Sequence, residues 1–212
     1  MAYQALFQVD VLVVNVPPRS RSMPGDFYPE QMRYLREMIE QAGIKHVIFA
    51  SSTSVYPNER QLARETDALL LETSESPGIL AAEYHMQGGD FNCTVLRFGG
   101  LLGVNRVPGS YFSGKEGVAG NPPVNYIHQE DAIRLIQWVI EEGKWNEVYN
   151  AVSPLHPCRR EVYEENARRM GFAPPASYAE TGAWKTISAD KLVEHGFEFV
   201  FQDPMKFWYQ KV

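Results

Sequence analysis

The sequence predicts an α/β protein built on a parallel sheet, and three observations carry that prediction. Residues 9–16, VDVLVVNV, are nearly all Val and Leu, and residues 45–50, KHVIFA, form a second short apolar run with β-branched Val47 and Ile48. Runs too short for an average helix and without polar alternation are the pattern of strands buried on both faces of a parallel sheet. Between them Met32, Leu35, Met38, Ile39 and Ala42 recur at helical spacing, and Gly43 stands where a C-terminal cap belongs. Strand, helix and strand within about 40 residues make a right-handed crossover the default connection.

Pro17-Pro18 ends the first strand, and the polar loop RSRSMPGD leads to a helix over 29–42. The second strand runs into a hydroxyl cluster: Ser51, Ser52, Thr53, Ser54 and Tyr56. Ligands of open α/β sheets sit beyond the carboxyl ends of the strands, which makes this cluster a candidate site. The same residues in a Ser/Thr turn would bond their own backbone, and spacing alone leaves both readings open. After a polar connection, 57–76, a helix over 77–86 is predicted, with Pro77 in its first turn and Ser76 as N-cap. Residues 92–98, NCTVLRF, make the third strand, and the glycine-rich GGLLG follows. Four Gly and three Pro in 104–124 predict an irregular excursion over the strand ends, toward the substrate side. An amphipathic helix over 131–142 and a strand over 147–152 complete the main domain, residues 1–152. Residues 153–212 form a small C-terminal lobe, with helices over 160–170 and 188–195. The second of these takes Ser188 as N-cap and Gly196 as stop. Residues 197–201, FEFVF, then make a strand or extended tail that buries aromatics.

A net charge of −6 with scattered Lys and Arg lacks the basic stripe of a nucleic-acid-binding surface. No apolar run approaches the roughly 20 residues of a membrane span. The N-terminus lacks the features of a signal peptide, so a cytoplasmic protein is expected. Cys93 and Cys158 lie far apart with no CxxC, which suggests neither a disulfide framework nor a metal site. Cys93, in the third strand, reads as a small core residue.

SSTSVY after a strand, a helix holding Glu83, TVLRFGGLLG with Arg106 soon after, VNYIHQEDAI and EVYNAV follow one another in a specific order. Together they resemble the NAD(P)-dependent nucleoside-diphosphate-sugar epimerase/dehydratase family, in the extended branch of the short-chain dehydrogenase/reductase superfamily. Its atypical bacterial members, of undefined reaction, are the nearest in pattern. The resemblance runs over about 9–204 and implies a partial Rossmann-like parallel sheet flanked by helices, with a small substrate-side lobe. It also implies NAD or NADP as cofactor and a nucleotide sugar as small-molecule partner. Ser52, four residues before Tyr56, matches the family hydroxyl that bonds the sugar oxygen, where a donor is needed as charge develops, with Thr53 beside it. Ser51, Arg97 and Gly99 fall on the cofactor side. Arg106 and His128 fall on the substrate side, and Arg106 carries a planar fork suited to a diphosphate. His128 and Asp131 match an "IH..D" turn, in which Asp131 would cap helix amides.

Two departures qualify what the resemblance implies. The family's acid/base Tyr and its partner Lys lie in the helix holding Glu83, and counting back from Glu83 those positions are Glu75 and Ile79. Neither can do the work of that pair. Glu75 reads either as a lone general base or as an exposed carboxylate just before a helix N-terminus. Second, nothing before residue 9 resembles the family's strand, Gly-rich turn and helix that hold a pyrophosphate. Gly114, Gly117 and Gly120 have G-x-x-G-x-x-G spacing, but no strand precedes them and Asn-Pro-Pro follows. By resemblance, 9–16 is then the family's fourth strand, left as a bare apolar edge that tends to pair with another chain. The expected protein is a degenerate epimerase/dehydratase-family member that acts on or binds a nucleotide sugar. The alternative is a truncated, non-catalytic relic serving as a binding or assembly module. Either is expected to self-associate through the edge or to rely on a separate partner.

Overall fold

A computed structural model describes residues 4–19, 22–67 and 69–210. Its elements in chain order are β1 (Val11–Val14), α1 (Phe27–Ala42), β2 (His46–Ser52), β3 (Leu62–Ala63), α2 (Pro77–Gln87), β4 (Asn92–Phe98), β5 (Gly100–Leu102), β6 (Val118–Ala119), β7 (Tyr126–His128), α3 (Gln129–Glu141), β8 (Val148–Ala151), α4 (Arg159–Met170), β9 (Tyr178–Ala179), β10 (Thr186–Ile187) and α5 (Asp190–Glu194). Among the described residues the main sheet has the order β1-β2-β4-β8, and β1 and β4 both run parallel to β2. Three small parallel pairs, β3/β10, β5/β7 and β6/β9, lie outside it. The fold is α/β, a parallel sheet flanked by helices.

The chain divides into two compact units. The first takes the residues up to Pro57, Glu65–Phe98 and Ile136–Tyr149; the second takes Asn58–Arg64, Gly99–Leu135 and the residues from Asn150 onward. The predicted excursion 104–124 and the residues after 153 thus fall in one unit.

In the first unit the strand alternation sets the core. Val47 and Phe49 of β2, Cys93 and Val95 of β4 and Val14 of β1 pack against Met32 and Ile39 of α1 and Ala82 and Met86 of α2. Ile48 and Leu96, on the opposite face, are also fully buried. Cys93 is a core residue as expected, and burial, with the nearby Glu83 charge, pushes its thiol up to about 12. Helix α1 ends at Gly43, whose φ of 73° is the left-handed cap conformation and whose N–H reaches the Glu40 and Ile39 carbonyls.

Some expectations change. The run 9–16 forms a strand only over Val11–Val14, and Val13 is 40% exposed. The reason is position: β1 is the edge strand of the main sheet and lacks cover on one side. Ser76 makes no side-chain cap bond; its carbonyl instead accepts from the Ile79 and Leu80 amides. Ser188 lies two residues before α5, and its hydroxyl accepts from the Asp190 N–H at 3.1 Å. Residues 197–201 form no strand, but Phe197 and Phe199 are buried, their rings edge to face at 4.8 Å. No helix of the described residues is long and apolar enough to cross a membrane.

Candidate functional site

The carboxyl ends of β2 and β4 are joined to α2 by a buried polar lock. The β2/β4 register sets Ser51 directly beside Arg97, on the face that carries Phe49 and Val95 and therefore faces α2. There α2 presents Glu83, fully buried. The Ser51 hydroxyl donates to Glu83 Oε1. Arg97 Nε donates to both Glu83 oxygens at 3.1 and 3.2 Å, and its Nη2 to Oε2 at 2.7 Å. The remaining arm, Nη1, donates to the Tyr56 hydroxyl at 2.7 Å. Burial by itself would lower the Arg97 pKa, but the Glu83 carboxylate and Tyr56 more than reverse this and hold it above the ordinary value. Ser51 and Arg97, expected beside a cofactor, thus spend these donors on Glu83 and Tyr56. The signal that could have revealed the lock is Glu83 itself, a carboxylate inside the apolar run ILAAEYHM, since buried acids need a partner.

Ser52 takes the other course. It precedes the one-turn 3-10 segment Thr53–Val55, and its Oγ accepts from the Ser54 N–H at 3.1 Å. The Ser/Thr-turn reading is therefore realised, and it does not use up the hydroxyl. A serine offers one donor and two acceptor lone pairs, and the Ser52 proton meets no acceptor among the described residues. The side chain is half-buried, so a ligand can reach it. Thr53 is buried, and its carbonyl accepts from the Tyr56 N–H at 3.3 Å.

The other expected residues lie in the second unit. A Cβ on Gly99 would stand 2.3 Å from the Asn125 carbonyl oxygen and 2.7 Å from Val152 Cγ1, and one on Gly100 would meet the Tyr126 ring at 2.6 Å. The bare faces of these glycines are filled by the protein's own chain, which is why glycine stands there. Arg106 is an exposed loop residue whose N–H donates to the Gly103 carbonyl at 2.8 Å. His128, expected on the substrate side, lies in the interior of the second unit. It is fully buried, its ring 4.0 Å from Phe201 and 5.3 Å from Phe207, and its Nδ1 accepts from the Glu130 N–H at 3.3 Å. Asp131 caps neighbouring chain and not its own helix: its two oxygens accept from the Val200 and Phe201 amides, both at 2.8 Å.

Burial lowers the pKa of His128, and it does the same to His156, whose Nδ1 lies 2.8 Å from the Val124 carbonyl. A depressed pKa means that the folded state prefers the neutral ring while the unfolded chain takes up the proton. Their contribution is therefore complete above the unfolded value of about 6.5 and is lost as pH falls below it. The urea midpoint at about pH 5.5 should lie below that at about pH 7.5. Equal midpoints would show that these rings do not matter.

Glu75 is exposed and borders a cavity of about 290 Å³ with Pro18, Tyr28, Ser76 and Gly78, while Ile79 packs against the core. Gly114 and Gly117 have left-handed φ of 69° and 64°, and the two-residue strand β6, not a helix, follows Gly117. Among the described residues no strand, glycine-rich turn and helix stand in succession. The described residues do not by themselves form a pyrophosphate cradle.

Known proteins share this fold. No family model matches the sequence. MoeE5 in complex with UDP-glucuronic acid and NAD superposes with a TM-score of 0.76 at 19% identity, over 94% of this chain and 78% of that one. A short-chain dehydrogenase/reductase superfamily protein from Agrobacterium tumefaciens with bound NAD gives 0.77 at 17% identity, over 96% and 79%. UDP-N-acetylglucosamine 4-epimerase from Bacillus cereus gives 0.74 at 17%, over 93% and 76%. The fold is that of the NAD-dependent epimerase/dehydratase proteins of the short-chain dehydrogenase/reductase superfamily. By sequence the chain belongs to the family of Protein YeeZ of Escherichia coli strain K12, with which it is 34% identical over 208 residues, 95% of this chain and 75% of that protein.

Proposed function

We propose that the chain binds a nucleotide sugar at the carboxyl end of its main sheet, as a cytoplasmic NAD(P)-dependent epimerase/dehydratase-family protein. Ser52 is the hydroxyl that meets the sugar. The observation that carries this reading is the Ser52 side chain, oriented by the Ser54 amide yet keeping its proton to donate, at the end of a central parallel strand. Support for the ligand class comes from MoeE5, which holds UDP-glucuronic acid with NAD on the same fold. NAD or NADP is the cofactor this reading implies, and when bound it would supply hydride chemistry. Arg106, exposed in its loop, remains a candidate for the diphosphate.

A second reading is favoured by Glu75 and Ile79. By resemblance they occupy the places of the acid/base Tyr and its Lys, and neither can replace them. The chain then binds without turning over, as a binding or assembly module. The open β1 edge needs cover under both readings, from a second copy or from another polypeptide.

Calorimetric titration separates these possibilities. UDP-glucuronic acid or UDP-glucose should bind, and Ser52→Ala should weaken binding by roughly tenfold, the worth of one hydrogen bond. No heat with either sugar at millimolar concentration would end the proposal. Binding without turnover in the presence of NAD(H) or NADP(H) would select the module.

A further inference from the structure

Helices α1 and α2 begin close together, and the cavity that Glu75 borders lies at their first turns, past the carboxyl end of β1. Pro18 from the loop after β1, Gly25 and Tyr28 at the start of α1, and Glu75, Ser76 and Gly78 at the start of α2 line it. Gly78 permits the approach of the two helices, since a Cβ there would stand 3.0 Å from the Gly25 carbonyl oxygen. Ligands of parallel sheets gather at this end of the strands. The volume of about 290 Å³ is at the lower end of ligand pockets, about 300–1,000 Å³, which suits one ring better than a whole nucleotide sugar.

Tyr28 is only 5% exposed, and its ring packs in the core with Met32 and Ala82. Its hydroxyl nevertheless has no hydrogen-bond partner among the described residues, where a buried phenol ordinarily finds one. Burial, with the nearby Glu83 charge, pushes this phenol up to about 12, so at neutral pH it keeps its proton to donate. Glu75, exposed on the α2 side, offers acceptors alone. Helix N-termini favour anions, but no Lys or Arg is among the residues lining the cavity, and Glu75 adds a negative charge. A phosphate is therefore disfavoured. Two neighbouring hydroxyls, one accepting and one donating, satisfy both side chains.

We propose that this cavity takes a vicinal diol of a sugar ring, with the Tyr28 hydroxyl donating to one ring hydroxyl and the Glu75 carboxylate accepting from its neighbour. This rests on the nucleotide-sugar reading above and adds Tyr28 and Glu75 to it. The diol comes either from the sugar or from the ribose of the nucleotide.

Calorimetric titration of UDP-glucose and of UDP into the parent, Tyr28→Phe, Glu75→Gln and Ser52→Ala proteins tests it. Tyr28→Phe keeps the ring in the core and Glu75 is exposed, so both variants should fold, which urea curves matching the parent's would verify. Each should weaken UDP-glucose binding about tenfold, the worth of one hydrogen bond. Weakening of UDP-glucose with UDP unchanged assigns the diol to the sugar, and equal weakening of both assigns it to the ribose. If both variants bind UDP-glucose within about twofold of the parent while Ser52→Ala loses binding, the proposal is overturned and the Ser52 reading stands. No heat from UDP-glucose with the parent at millimolar concentration would overturn both.

Discussion

The Arg97→Met variant is expected to lose about 3–5 kcal/mol of stability, because it strands the fully buried Glu83 carboxylate without its cation. In a chain of this size that corresponds to a fall in Tm on the order of 10 °C. The loss is large because two partners lose bonds at once. Glu83 keeps only the Ser51 hydroxyl, and the Tyr56 hydroxyl loses the donor that Arg97 Nη1 supplied. Removing the charge from both sides should be far milder: a Glu83→Met, Arg97→Met double variant should recover much of the loss, since a buried pair replaced by apolar groups of similar volume is often near neutral. Differential scanning calorimetry of the three proteins reads the comparison directly. A single variant within about 1 kcal/mol of the parent would mean that the lock does not hold the strand ends.

Asp131→Ala should cost about 2–5 kcal/mol, as its carboxylate satisfies two backbone amides that nothing else in the site would meet. The effect should be local in the first instance. The Val200 and Phe201 amides should exchange faster, and the Phe201 ring, which lies 4.0 Å from His128, should lose its fixed position. Asp131→Asn keeps one acceptor oxygen and should lose less than the alanine variant. Hydrogen exchange at residues 200 and 201, read beside a urea unfolding curve, checks both statements. Unchanged exchange in Asp131→Ala would show that other groups hold this segment.

Both predictions rest on contacts that the sequence did not announce. Glu83 was visible as part of a family pattern, but its bond to a residue 14 positions away depends on where α2 lies over β4. Arg97 read as a ligand-facing arginine at a strand end. Its direction follows from the strand alternation, which carries it toward the core with Cys93 and Val95. His128 read as a substrate-side residue through its place in the IH..D pattern; the rings that pack on it, Phe201 and Phe207, arrive more than 70 residues later. The glycines after Arg97 suggested close approach to a ligand. They do mark close approach, but by the chain around Asn125 and Tyr126.

Local physical chemistry was enough for the elements themselves. The third strand matches β4 residue for residue, α1 stops at the glycine that was expected to stop it, and the apolar runs without alternation did form a parallel sheet. Periodicity, capping residues and β-branching act over a few neighbouring positions, so one chain displays them. Which hydroxyl bonds a buried glutamate, which accepts from a neighbouring turn amide, and which side of β1 stays open were decided only by tertiary structure. Those outcomes depend on register and on helix placement, which bring together residues tens of positions apart whose local sequences carry no mark of one another.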